Sequence, residues 1–157
     1  MEDCKLASSP FQSGVNLSLT CTSPQVDATL YHQLVGSLLY LTHSHPNISF
    51  VVGLVAWYMQ HPHESHWKIA KRIFRYIHGT VQFGIHYSTG ATPLLVDFTD
   101  SDWVGDPNDR KSTVGYVFTL GSRFITWACK KQSSLALSFV EAEYRAAVQA
   151  SKEAMWL

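Results

Sequence analysis

A chain of 157 residues that is 46% apolar, with five Trp and eight Phe, has the material for one or two small globular domains and is not a disordered tail. Twelve basic and twelve acidic residues cancel to a formal charge of zero, so overall charge indicates no polyanionic partner. Cys4, Cys21 and Cys129 fit no zinc spacing and read as free thiols in a reducing compartment. With no signal peptide after Met1 and no apolar run longer than Ile48 to Met59, the chain reads as intracellular, without a membrane partner.

Residues 5–26 are rich in Ser, Pro, Thr and Gln and read, with the first four, as an extended arm or linker over 1–26. Asp27 is a helix N-cap in type, and Leu30, Leu34, Val35, Leu38, Leu39 and Leu41 follow at helical spacing until Pro46 forces a break. A second, buried helix is expected from about Ile48 to Gln60. The third, about Glu64 to Ile77, has an apolar stripe of Trp67, Ala70, Ile73, Phe74 and Ile77. Opposite it runs a basic stripe of Lys68, Lys71, Arg72 and Arg75, with Gly79 as the C-cap. Strand-like patterns follow. Val81 to Tyr87 alternates loosely, Thr89-Gly90-Ala91 reads as a turn, and Leu94 to Thr99 is a short apolar run ending in acids. Val114, Tyr116, Phe118 and Leu120 share one face of a further strand. Gly121-Ser122 is a hairpin signal, Arg123 to Cys129 the returning strand, and a last helix runs from Phe139 through Ala142, Ala146, Ala147 and Ala150.

Asp97, Asp100, Asp102, Asp106 and Asp109 cluster in or after the first of these strands. Alternation puts Asp100 and Asp102 on one face. Carboxylates gathered at a strand end suit a hard divalent cation such as magnesium, whereas Gly105-Asp106-Pro107-Asn108-Asp109 is equally the composition of a solvated turn. Glu141 and Glu143 open the last helix on different faces, so at most one of them can face Asp100. His43, His45, His61, His63 and His66 lack the cysteine or acid that would complete a zinc set.

Several strings, in order, resemble the copia-type retrotransposon Pol polyproteins. Tyr31-His-Gln-Leu-Val-Gly-Ser-Leu-Leu-Tyr-Leu41 and His66-Trp67 with Ala70-Lys71-Arg72-Ile73 resemble the thumb of the family's reverse transcriptase. Phe98-Thr-Asp-Ser-Asp-Trp103, Asp109-Arg-Lys-Ser-Thr113, Gly115-Tyr116, Trp127, Lys130-Lys-Gln132 and Glu141-Ala-Glu-Tyr-Arg-Ala146 resemble the opening of its ribonuclease H domain. The resemblance implies an α+β chain. A three-helix thumb/connection segment over 27–90 is followed over 91–157 by an incomplete ribonuclease H-like fold of three antiparallel strands and the first helix. It further implies an RNA–DNA hybrid as nucleic-acid partner, magnesium as cofactor, and Asp100 and Glu143 as catalytic metal ligands. Lys68, Lys71, Arg72, Arg75, Arg110, Lys111, Lys130 and Lys131 are the candidate nucleic-acid contacts.

The family's third and fourth metal-binding acids and its polymerase palm have no counterpart in these 157 residues. A fragment that binds magnesium weakly or not at all, cuts no RNA by itself and self-associates through an open, apolar sheet edge is therefore expected. The alternatives are an active ribonuclease H completed by further sequence or a partner chain, and a non-catalytic protein-interaction module. Two departures from the family pattern stand out. Phe139-Val140 replaces small residues and should crowd the approach to Glu143. His45-Pro46-Asn47-Ile48 replaces Arg-Pro-Asp-Ile and should lose an ion pair.

Overall fold

The computed structural model describes residues 4–12, 17, 22–87, 90, 92–106, 108–121 and 123–157. Thr89, Ala91 and Ser122, which complete the two expected turns, lie outside these, as does Cys21. The chain divides into two compact units, residues 1–84 and residues 85–157. The described residues form four helices and a three-stranded antiparallel sheet, an α+β arrangement consistent with a partial ribonuclease H-like fold.

In the first unit, α1 (Ala28–Leu41) starts where Asp27 accepts hydrogen bonds from the N–H groups of Thr29 and Leu30. Its inward face is Tyr31, Val35 and Leu38. Leu30 and Leu39, expected inside, are 53% and 38% exposed, because Tyr31 takes the inner position and its hydroxyl donates to the Val55 carbonyl. A 3-10 turn (Pro46–Ile48) leads into α2 (Ser49–Ala56), which is shorter than expected and buries Val51, Val52 and Val55 while exposing Phe50. The next helix, α3 (Glu64–Gly79), buries His66, Ile69, Ala70 and Ile73. Thr80, not Gly79, is its C-cap, and Gly79 stays helical with no positive φ. His66 stacks on Tyr58 at 4.0 Å and closes a capping box with His63, so it serves packing. Asn47 Nδ2 donates to the Tyr76 hydroxyl at 2.8 Å and so ties the 3-10 turn to α3.

The described residues of the arm are docked. Ala7 and Leu17 are buried, and Tyr58 donates to the Leu17 carbonyl. Further along, Gln25 bridges to His63, while the N–H groups of Val26 and Glu64 donate to the carbonyls of Pro62 and Pro24. Backbone groups make most of these ties, and backbone groups leave no periodic mark in sequence.

Residues 83–87, which run across the boundary between the units, are irregular where a strand was expected, and Phe83 and Tyr87 are exposed. In the second unit, the sheet runs β1 (Leu95–Asp102), β2 (Thr113–Leu120), β3 (Arg123–Lys131), in that spatial order. Gly121, with φ +64°, begins the β2–β3 connection, a conformation costly for a residue with a Cβ. Past the turn the register slips between Phe118 and Thr119, leaving Ile125 without a partner. The last helix, α4 (Phe139–Ala154), is capped by Ser138 and lays Ala142, Ala146 and Ala150 on the sheet. Ala147, expected to join them, faces solvent. Tyr116, Phe118 and Ala150 form the unit's core, with Ala128 against them.

Candidate metal and nucleic-acid site

Alternation along β1 fixes the starting geometry. Ser101 pairs with Val114, and Thr99 with Tyr116, on the side that α4 covers. Asp100 and Asp102 pair with Gly115 and Thr113 on the other side, so the two acids share a face as expected. Ser101, between the two faces, links Asp100 to α4. The Ser101 N–H donates to Asp100 Oδ1 at 2.9 Å and to Glu143 Oε1 at 3.3 Å, and the Ser101 hydroxyl donates to the same Glu143 oxygen at 3.0 Å. Two carboxylates from different elements therefore meet at one buried serine.

Glu141 turns the opposite way. It accepts from the Leu137 N–H at 2.8 Å and from Arg145 at 2.6 Å. The Leu137 bond, then Arg145, hold its carboxyl below the usual range. Phe139 and Val140 are 56% and 74% exposed, so they point outward and do not crowd Glu143.

The remaining aspartates divide. Asp102 accepts from the Thr113 N–H, and burial leads in pushing its carboxyl up, with Asp100 adding to it. Gly105 passes so close that a Cβ there would meet the Asp102 carboxylate, which explains a glycine at that position. Asp106 is 3% exposed. Burial alone would raise its carboxyl, but the Lys131 ammonium and the Asn108 donors outweigh it and hold the carboxyl low. Lys131 also pairs with Asp109 at 2.8 Å. Asp106 and Asp109 thus brace the loop between β1 and β2. Burial likewise lifts the Cys129 thiol to about 11.

The basic candidates lie in varied surroundings. Lys68 and Lys71 are exposed, Lys68 paired with Glu64 at 3.1 Å and Lys71 over the Trp67 ring. Arg72 donates to the Ser9 carbonyl and hydroxyl, both at 3.1 Å, and Arg75 is half-buried. Arg110 is exposed with φ +57°, and Lys111 lies 3.9 Å from Asp109. Lys130 and Lys131 line a groove of about 490 Å³ together with Tyr144, Val148 and Lys152 of α4. Ser101 and Gln132, whose amide donates to the Ala142 carbonyl, stand in the family strings but carried no expected role. A serine between two acids on the helix-facing side of a strand was the available signal for the first.

Among the described residues, no group of three or more His, Cys, Asp or Glu could hold a metal ion. The Asp100–Glu143 pair is an all-oxygen set. It fits magnesium, which commonly takes one or two carboxylates and completes its shell with water and substrate phosphate. No helix among the described residues is long and apolar enough to cross a membrane.

The four helices and three-stranded antiparallel sheet of the described residues are an α+β arrangement consistent with a partial ribonuclease H-like fold. The chain belongs to the family of copia-type retrotransposon Pol polyproteins. It is 39% and 38% identical, over all 157 residues, to the retrovirus-related Pol polyproteins from transposons RE1 and RE2 of Arabidopsis thaliana, and spans 11% of the length of each. It is also 38% identical over 128 residues to secreted RxLR effector protein 161 of Plasmopara viticola, covering 81% of this chain and 90% of that protein. No family model and no solved structure matches.

Proposed function

We propose that this chain is part of the reverse transcriptase–ribonuclease H region of a copia-type Pol polyprotein, acting inside the cell, and that Asp100 and Glu143 are two of its magnesium ligands. The observation that carries the reading is their convergence on Ser101. Magnesium held there would supply Lewis-acid activation of water for cleaving RNA in an RNA–DNA hybrid. The chain's own part is to present carboxylate oxygens from β1 and α4. Exposed Lys130, Arg110 and the groove beside α4 would meet phosphates, and Lys68 and Lys71 would do the same in the helical unit. Arg72 and Lys131 would contribute only by exchanging their present partners.

Two carboxylates are half of the family's set, so the 157-residue chain is expected to leave a labelled hybrid intact in magnesium. Substituted for the aligned stretch of the RE1 polyprotein, it should support cleavage, and Asp100→Asn should lower that cleavage by about a hundredfold or more. Cleavage that survives Asp100→Asn in the substituted polyprotein would overturn the assignment.

A second reading, a stand-alone interaction module without catalysis, is favoured by one observation. The chain covers 90% of a relative that is named as an effector. The edge strand β1 with exposed Leu95 and Phe98 would be the docking element, and the same edge would drive self-association. A substituted polyprotein that never cuts, together with a 157-residue chain that is folded and self-associates, would favour this reading.

A further inference from the structure

We infer that Ser101 is a positioning residue that holds Glu143 beside Asp100 before any cation arrives. Its toward-the-ion role rests on the magnesium reading above, whereas the clamp itself does not. Ser101 is 5% exposed and pairs in register with Val114, which is also buried. Alanine would fill nearly the same space, so packing alone does not call for a hydroxyl. The hydroxyl's described partner is Glu143.

Two carboxylates this close repel, and each must be held by donors until a cation neutralises them. Ser101 supplies two donors. The N–H is shared between Asp100 Oδ1 and Glu143 Oε1, and the O–H adds a second bond to Glu143 Oε1. Charge-assisted bonds of this kind are stronger than neutral ones. They fix the Glu143 rotamer and leave Asp100 Oδ2 and Glu143 Oε2 without a donor among the described residues. Those are the oxygens offered to a cation. The side-chain entropy of ordering Glu143 is then lost on folding and not on ion binding.

The test is a double-mutant cycle in the 157-residue chain, with Ser101→Ala, Glu143→Ala and the pair compared by urea unfolding. A clamp predicts that the double variant loses about fivefold less in its folding equilibrium constant than the two single losses multiplied. Independent effects would overturn it. Should Ser101→Ala not fold, the amide proton of Ser101 decides. Its NMR resonance should move upfield in Glu143→Ala, and an unmoved signal overturns the clamp. Magnesium titration of parent and Ser101→Ala then reads the role toward the ion, with about tenfold weaker binding expected in the variant. Equal affinities overturn that role. A parent that does not respond to magnesium overturns the role toward the ion in this chain, and the cycle and the amide signal still decide the clamp.

Discussion

Among the described residues, twelve buried side chains from Leu17 to Ile73 make one continuous cluster in the helical unit, with Phe11, Trp57, Trp67 and Phe74 packed around it. The sheet unit's corresponding cluster is Tyr116, Phe118 and Ala150. What it lacks in apolar burial it replaces with polar ties at one end: Lys131 to Asp106 and Asp109, Asp102 to Thr113, Gln132 to Ala142, and Ser101 to Glu143. The comparison teaches that apolar burial concentrates in the unit for which no metal ligand is proposed, and the candidate metal site sits where the fold depends on the same polar groups.

The sharpest way to break that comparison is to remove one core side chain from each unit. Ile73→Ala should lower the stability of the helical unit by about 3 kcal/mol without unfolding it, because the rest of a large cluster remains. Phe118→Ala should remove about 3–5 kcal/mol and abolish cooperative unfolding of residues 85–157. Hydrogen exchange resolved by residue would read both. Unchanged protection of the β2 amides in Phe118→Ala would show that the polar ties suffice alone.

The next effect is electrostatic. Asp106→Ala should cost the sheet unit about 2 kcal/mol at neutral pH, since it leaves the Lys131 ammonium short of a partner. The carboxyl of Asp106 is depressed in the fold. Its contribution is therefore complete above the unfolded carboxylate pKa and is lost as pH falls through the folded value. Asp102 has the opposite sign. Its raised carboxyl takes stability away as pH rises through the folded value, so Asp102→Asn should stabilise at neutral pH while keeping the acceptor for Thr113. Urea midpoints between pH 3 and pH 7 for parent and both variants should show the two slopes diverging. Parallel curves would refute the pairing. The smallest effect belongs to the surface of α3. Lys68→Ala should change stability by about 0.3 kcal/mol, within reach only of careful chemical denaturation.

Periodicity in the sequence revealed α1, α3, β2 and α4, since each carries an apolar face at its own repeat. It placed Leu30, Leu39 and Ala147 inside because a wide stripe does not say which edge is wet. The docked arm escaped notice because Ala7, Ser9 and Leu17 engage mainly through backbone and small groups. The loose alternation of Val81 to Tyr87 suggested a strand, but among the described residues those positions find no neighbouring strand to pair with. At the site, the family strings brought Asp100 and Glu143 forward, and helix geometry already allowed only one of Glu141 and Glu143 to reach β1. Ser101 stayed hidden because its role depends on α4 arriving from far along the chain, which no local pattern records.

The bond between Asn47 and Tyr76 has a consequence for the environments in which the helical unit holds together. An amide carries no charge at any pH, so this link across 29 residues between the 3-10 turn and α3 is blind to ionic strength. A salt bridge joining the same two elements would loosen in brine and in acid. This junction keeps the same strength in both.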